Sequence, residues 1–227
     1  MPPIVKICGL STPSSLEAAL AAGADMVGFV FFEKSPRHVS LDQARELGRR
    51  ARGRAEIAAL TVDMNDDMLA AIVQALAPDV QQLHGKETPA RVAAIAKTFG
   101  VKTMKAIGVA AADDLAAARD YVGVADRMLF DAKAPKDAKL PGGNGVPFDW
   151  RLLAGVAREP PYLLSGGLDP DNVIEAIALS GARGVDVSSG VESAPGVKDN
   201  SKIAAFIARA RAGFAKAAER ELAGRVA

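Results

Sequence analysis

Cys8 is the only cysteine in a chain of 227 residues, and it closes an apolar run, Val5-Lys6-Ile7-Cys8, just before Gly9. Far along the chain, Met128-Leu129-Phe130 ends on Asp131. A thiolate can remove a proton and a carboxylic acid can donate one, which is the minimum equipment for an isomerase that needs no cofactor. Each residue also has a structural reading. A free cysteine is most often a small buried hydrophobe, and Asp131 could be the ion-pair partner of an inward lysine. Side chains alternate along a strand, so Lys6 shares a face with Cys8, and an ammonium group there pulls the thiol toward thiolate. Lys105, in Met104-Lys105-Ala106-Ile107, is a second candidate for an inward lysine. Buried cations of this kind require carboxylates close by.

Other residues suit an anionic ligand. Leu164-Ser165-Gly166-Gly167-Leu168 and Ser188-Ser189-Gly190 follow successive apolar runs. Gly166, Gly167, Ser188 and Ser189 offer small side chains and backbone N–H groups of the kind that bind a phosphate monoester. Arg37, in Ser35-Pro36-Arg37-His38, is a planar fork for a carboxylate or an ordinary loop arginine. His84 follows Gln81-Gln82-Leu83 and reads as a packing or substrate-bonding residue. No second histidine stands three or four positions away, and Glu87 alone makes no metal-binding pattern with it, so no metal site is expected. Asp186 ends its own apolar run inside Gly184-Val185-Asp186-Val187, and Asp63 reads as a helix cap or turn residue.

These residues must be carried by elements that converge. Candidate strands cover 3–8, 26–31, 57–62, 79–83, 102–107, 126–131, 161–165 and 183–187. Helix-compatible segments lie at 14–22, 41–52, 66–76, 88–99, 112–120, 149–157, 170–180 and 199–212. Ser40 caps the second, and Asp169 before Pro170 caps the seventh, with the proline at the first helical position. Eight strand–helix units at about 28 residues each predict an α/β chain folded as a single (β/α)8 TIM barrel of parallel strands. Its site would lie at the C-terminal ends of the strands. Gly9-Leu10-Ser11-Thr12-Pro13 lacks the glycine spacing of a dinucleotide-binding turn. No linker-like composition divides the chain, so residues 1–227 are expected to form one domain, with the helical tail fraying after Arg211. The connection 133–147 is too long for a plain turn, and Gly142, Gly143, Asn144 and Gly145 make it an expected lid; a disordered insertion is the alternative.

Apolar residues make up 49% of the chain and aromatics only 5%, a balance that suits buried strands under alanine-rich helices. Lys and Arg number 28 against 27 Asp and Glu, which gives no global field for nucleic acid or an anionic membrane. No apolar stretch approaches the ~20 residues of a membrane span. The start Ile4-Val5-Lys6-Ile7 lacks a signal-peptide layout, so a cytoplasmic protein is expected. Neither monomer nor homodimer is favoured.

Taken in order, these segments resemble the phosphoribosylanthranilate isomerase family of tryptophan biosynthesis. The likeness rests on Lys6-Ile7-Cys8-Gly9, Gly28-Phe29-Val30-Phe31, Ser35-Pro36-Arg37, Val80-Gln81-Gln82-Leu83-His84-Gly85 and Leu129-Phe130-Asp131. It continues through Gly142-Gly143-Asn144-Gly145, Phe148-Asp149-Trp150, Leu164–Leu168 and Gly184–Glu192, and reaches about Arg211. Asn144 stands where the family usually has Ser or Thr. The resemblance implies an Amadori rearrangement of N-(5-phosphoribosyl)anthranilate with neither cofactor nor metal. It implies Asp131 as the acid that opens the sugar ring and Cys8 as the base at C2. Arg37 would hold the anthranilate carboxylate, and Gly166, Gly167, Ser188 and Ser189 the phosphate. Asp186 would meet the sugar hydroxyls or the amine.

Rival readings are weaker. A histidine-pathway aldose–ketose isomerase would be expected to carry aspartates at the ends of strands one and five, where this chain has Cys8 and Gly108. A pentose-phosphate epimerase would need more histidines. A non-catalytic binding barrel would have no use for Cys8 opposite Asp131.

Overall fold

The computed structural model describes residues 2–133, 147–156 and 160–226. Eight parallel strands close into a barrel in sequence order: β1 (Ile4–Cys8), β2 (Met26–Phe31), β3 (Glu56–Thr61), β4 (Val80–Leu83), β5 (Lys102–Val109), β6 (Arg127–Ala132), β7 (Tyr162–Leu164) and β8 (Gly184–Val187). β8 returns to β1 with Lys6 opposite Asp186. Helices α1 (Pro13–Ala21), α2 (Leu41–Ala51), α3 (Asp66–Leu76), α4 (Pro89–Phe99), α5 (Val173–Ser180) and α6 (Asn200–Val226) form the outer layer. Among the described residues, no helix is long and apolar enough to cross a membrane.

Two apolar layers follow from strand alternation. Met26, Ala58, Val80, Met104, Ala106, Leu129 and Leu163 fill the barrel interior. Val5, Ile7, Val27, Phe29, Ile57, Ile107 and Phe130 face outward against Leu16, Leu47, Leu69, Ile95 and Phe206. The N-terminal rim is tied by a repeated device. Asp25, Asp79 and Asp126, each just before an even strand, accept the backbone N–H of Val5, Ile57 and Thr103 at 2.6–2.8 Å.

The helical expectations need four corrections. Residues 112–120 are not α-helical: Ala112–Tyr121 is a 3-10 helix in which only Leu115, Ala118 and Tyr121 pack on the core. That spacing of three matches a 3-10 pitch and offers no face for an α-helix. Of the expected helix 149–157, the described residues 149–156 give one 3-10 turn, Trp150–Leu153, and no α-helix. Asp169 caps a turn, not α5: its Oδ1 accepts the N–H groups of Asp171 and Asn172, and α5 starts after Asn172. The tail does not fray at Arg211. α6 runs on to Val226, because Phe214 is buried, Gly213 lets the helix close on Ile177, and Glu221 pairs with Arg183 at 2.8 Å. Ser40 does cap α2, in a capping box with Gln43. Asp63 is a turn residue at φ +47°, and Asn65 caps α3.

Candidate active site

Lys6 and Cys8 point into the barrel from β1, on the face opposite Val5 and Ile7. Lys6 is wholly buried, and its Nζ lies 2.7 Å from Asp186 Oδ1. Asp186 Oδ2 accepts a hydrogen bond from Ser165 Oγ at 3.2 Å, so β7, β8 and β1 are joined by one polar chain. Burial works against the Lys6 ammonium, but Asp186 and Cys8 outweigh it and hold its pKa above the ordinary lysine value. Cys8 shows the opposite balance. Burial pushes its thiol up, Lys6 pulls it down, Asp186 pushes it up again and Lys198 pulls it down; the result lies above the ordinary thiol value. Lys6 therefore reaches the thiol and pulls in the direction that sequence suggested, yet it does not win. Gly28, in register with Cys8 on β2, makes room for the sulfur: a Cβ there would sit 3.0 Å from Sγ.

Asp131 is the next-to-last residue of β6, which β7 and β8 separate from β1. It shares the inward face with Leu129. Its partner is not a lysine. His84 Nε2 stands 3.3 Å from Asp131 Oδ2, and Ala132 N donates to Oδ1 at 2.9 Å. On β4, Gln82 Nε2 is 3.2 Å from His84 Nδ1. His84 thus meets Asp131 first, where sequence suggested a substrate contact or packing. Lys105 is not an inward residue. Met104 and Ala106 face the interior, so Lys105 faces the helices, where Nζ meets Glu87 Oε2 at 2.9 Å.

Arg37 is buried and already paired. Its Nε and Nη2 donate to Glu192 Oε1 and Oε2 at 2.7 and 2.9 Å. The Nη1 side of the fork has no partner among the described residues. Gly9, at φ +74°, lies under the arginine stem: a Cβ there would come within 2.7 Å of Arg37 Cδ. This packing places the guanidinium beside the strand end that carries Cys8. Glu192 and Lys198 were missed from sequence. They lie on a small antiparallel hairpin, β9 (Glu192–Ala194) and β10 (Val197–Lys198), which the Pro195-Gly196 turn signals.

The loops after β7 and β8 adjoin. Gly190 packs against the Leu168 carbonyl so closely that a side chain would overlap it. Gly166 (φ +89°) and Gly167 (φ +67°) run against the backbones of Ala132 and Pro147. The N–H groups of Gly166, Gly167, Ser189 and Gly190 have no hydrogen-bond partner among the described residues, and Ser189 opens a single 3-10 turn, Ser189–Val191. Ser188 differs: its hydroxyl donates to the Cys8 carbonyl at 3.1 Å. Gly142, Gly143, Asn144 and Gly145 lie outside the described residues. Among those described, no group of three or more His, Cys, Asp or Glu side chains could hold a metal ion.

A family model described as N-(5'-phosphoribosyl)anthranilate (PRA) isomerase matches residues 5–209. The chain belongs to that family. It is an isomerase of tryptophan biosynthesis built as a TIM barrel. An N-(5'-phosphoribosyl)anthranilate isomerase from Rhodopseudomonas palustris is 62% identical over 209 residues, 92% of this chain and 96% of the relative. One from Nitrobacter hamburgensis is also 62% identical, over 92% of this chain and 93% of its own. The crystal structure of the Thermotoga maritima isomerase superposes with a TM-score of 0.83 at 33% identity, covering 93% of this chain and all of that one, 100%. Another isomerase structure, in complex with reduced 1-(o-carboxyphenylamino)-1-deoxyribulose 5-phosphate, gives 0.81 at 32% identity over 93% and 100%.

Proposed function

We propose that this chain converts N-(5-phosphoribosyl)anthranilate to 1-(2-carboxyphenylamino)-1-deoxyribulose 5-phosphate, with Asp131 as general acid and Cys8 as general base. The observation that carries the reading is the pair of inward side chains at the C-terminal rim: a thiol set among Lys6, Asp186 and Lys198, and a carboxyl set against His84. Asp131 gives its proton to the ring oxygen as the C1–O bond breaks, and the nitrogen lone pair forms the C1=N bond. Cys8, as thiolate, then takes the proton from C2; that electron pair forms the C1=C2 bond of an enolamine as the C1=N π pair returns to nitrogen. The enolamine ketonises by moving the hydroxyl proton to C1, so no atom or electron is gained or lost. Each catalytic group contributes about 10²–10⁴-fold.

The substrate is anionic at both ends, and each end has a fitting site. The Nη1 side of Arg37 suits the anthranilate carboxylate. The N–H groups of Gly166, Gly167 and Ser189 suit the phosphate; Ser188 contributes by holding the Cys8 carbonyl. Asp186 retains lone pairs for a sugar hydroxyl beside its bonds to Lys6 and Ser165. The rearrangement is followed by the change in anthraniloyl fluorescence. Cys8→Ala and Asp131→Asn should each lose at least about a hundredfold in kcat with the fold intact, and Arg37→Ala should chiefly raise KM. Unchanged turnover in Cys8→Ala or Asp131→Asn removes that residue from the mechanism.

A further inference from the structure

Glu192 and Lys198 face each other across the β9–β10 hairpin, and no step above uses them. Both side chains are buried, and Glu192 binds more than Arg37. Its Oε1 receives Lys198 Nζ at 2.9 Å, and its Oε2 receives the Gly196 N–H at 3.2 Å. Lys198 Nζ also donates to the Ser188 carbonyl at 2.8 Å and to Ser188 Oγ at 3.1 Å. The Ser188 hydroxyl in turn donates to the Cys8 carbonyl. One ammonium group therefore ties the carboxylate that aims Arg37 to the residue that clasps the end of β1.

Charge gives this arrangement its consequence. Lys6 and Asp186 form a neutral pair. Arg37 and Lys198 share the single carboxylate of Glu192, so the cluster buries one positive charge in excess. A buried charge of that kind is costly until an anion comes near it. The charged groups facing Cys8 are Lys6 from its own strand, Asp186 from β8 and Lys198 from β10, while β2 presents only Gly28. We propose that Lys198 is a positioning residue for both functions of the site. Through Glu192 it fixes the aim of Arg37, and as the surplus cation beside Cys8 it favours the thiolate. The Arg37 half rests on the reading above; the Cys8 half does not.

The test titrates the thiolate ultraviolet absorbance of the full chain without substrate. The chain has only one cysteine, so the signal is unambiguous once a Cys8→Ala blank removes the tyrosines. Lys198→Met should raise the midpoint by about one pH unit, tenfold less thiolate at a given pH. Burial holds the Lys198 pKa below its ordinary value and Glu192 is the main group that raises it, so Glu192→Gln, which leaves Arg37 without its carboxylate, should lower the midpoint by a smaller amount. Lys198→Arg should stay near the parent. With substrate, Glu192→Gln should raise KM about tenfold and change kcat less, because Arg37 loses its clamp. Opposite shifts from two touching residues are not produced by loosened packing. Equal midpoints, or shifts of the same sign, would overturn the proposal. If Lys198→Met does not fold, an unshifted Glu192→Gln overturns it alone. A chain that fails to turn over phosphoribosylanthranilate would still answer by titration, so the two readings fail separately.

Discussion

His84 Nε2 stands 3.3 Å from Asp131 Oδ2, reaching past β5 from the neighbouring strand on its other side. The inward residues of β5 along this path, Ala106 and Gly108, are small enough to let it pass. Gln82 Nε2 lies 3.2 Å from His84 Nδ1; in the tautomer that carries its hydrogen on Nε2, Nδ1 accepts from Gln82 and Nε2 donates toward Asp131. A general acid gains when its conjugate base is stabilised. After proton transfer the Asp131 carboxylate would be held by His84 and by the Ala132 N–H.

His84→Ala should therefore lower kcat about tenfold or more, the worth of one hydrogen bond to a charged group, with KM little changed. Gln82→Leu should lose less, because it frees the tautomer without removing the donor. Steady-state fluorescence kinetics separate the two parameters. A rise in KM at constant kcat would return His84 to the substrate-contact role that the sequence suggested.

Gly28→Ala probes the thiol from the next strand. The added Cβ would lie 3.0 Å from Cys8 Sγ and 3.3 Å from Lys6 Cε, closer than ordinary packing tolerates. The sulfur must turn away, and overpacking of this kind costs about 1–3 kcal/mol. The expected result is a modest loss in thermal unfolding and a larger, about tenfold or greater, loss in kcat. A variant with a lower melting temperature and full kcat would show that the thiol position is not critical.

The strands were legible because each is a short, largely buried run between turn residues, and β2, which carries no charged side chain, has the boundaries that its run predicts. That same uniformity hid the facing of Lys105: a strand buried on both sides gives no alternation to say which face a lysine takes. Cys8, Asp131 and Asp186 could be singled out because each polar group ends an apolar run. The bond between Arg37 and Glu192 spans 155 positions and leaves no local trace. The direction of the Cys8 shift was also out of reach, since it is a contest between desolvation and three neighbouring charges whose distances exist only in the fold.

Two pH dependences follow with opposite origins. The Cys8 thiol lies above its ordinary value of 9.0, mainly through burial, so at neutral pH the thiolate is the minor form. Activity that needs the thiolate should rise with pH through neutrality and into the alkaline range; a flat kcat/KM profile there would argue against Cys8 as base. Glu192 concerns stability instead. Burial raises its pKa, but Arg37 and Lys198 outweigh this and hold it below the ordinary 4.5. A depressed folded-state value means the stabilisation is present above the unfolded value and is lost as the pH falls through the folded one. Denaturant titrations should show the parent losing stability below about pH 4.5, the ordinary carboxylate value, and Glu192→Gln losing less over that interval.

Glu87 and Lys105 give the sharpest stability test, because every group in their pair is satisfied. Glu87 accepts the N–H groups of Asp63 and Gly85 as well as Lys105 Nζ. Lys105 donates to Glu87 and to the carbonyls of Leu83 and Gly85 at 3.2 and 2.7 Å, under the ring of Tyr121. The pair locks the loops after β3 and β4 to β5, and His84 opens the loop after β4. Glu87→Ala leaves a buried ammonium without its carboxylate and should cost about 3–5 kcal/mol. Glu87→Leu combined with Lys105→Met removes both charges and should recover much of that loss, as replacing a whole buried pair by apolar groups often does. Urea unfolding of the single and double variants measures the difference. A double variant no more stable than Glu87→Ala would mean that the loops depend on the hydrogen bonds themselves and not on charge balance.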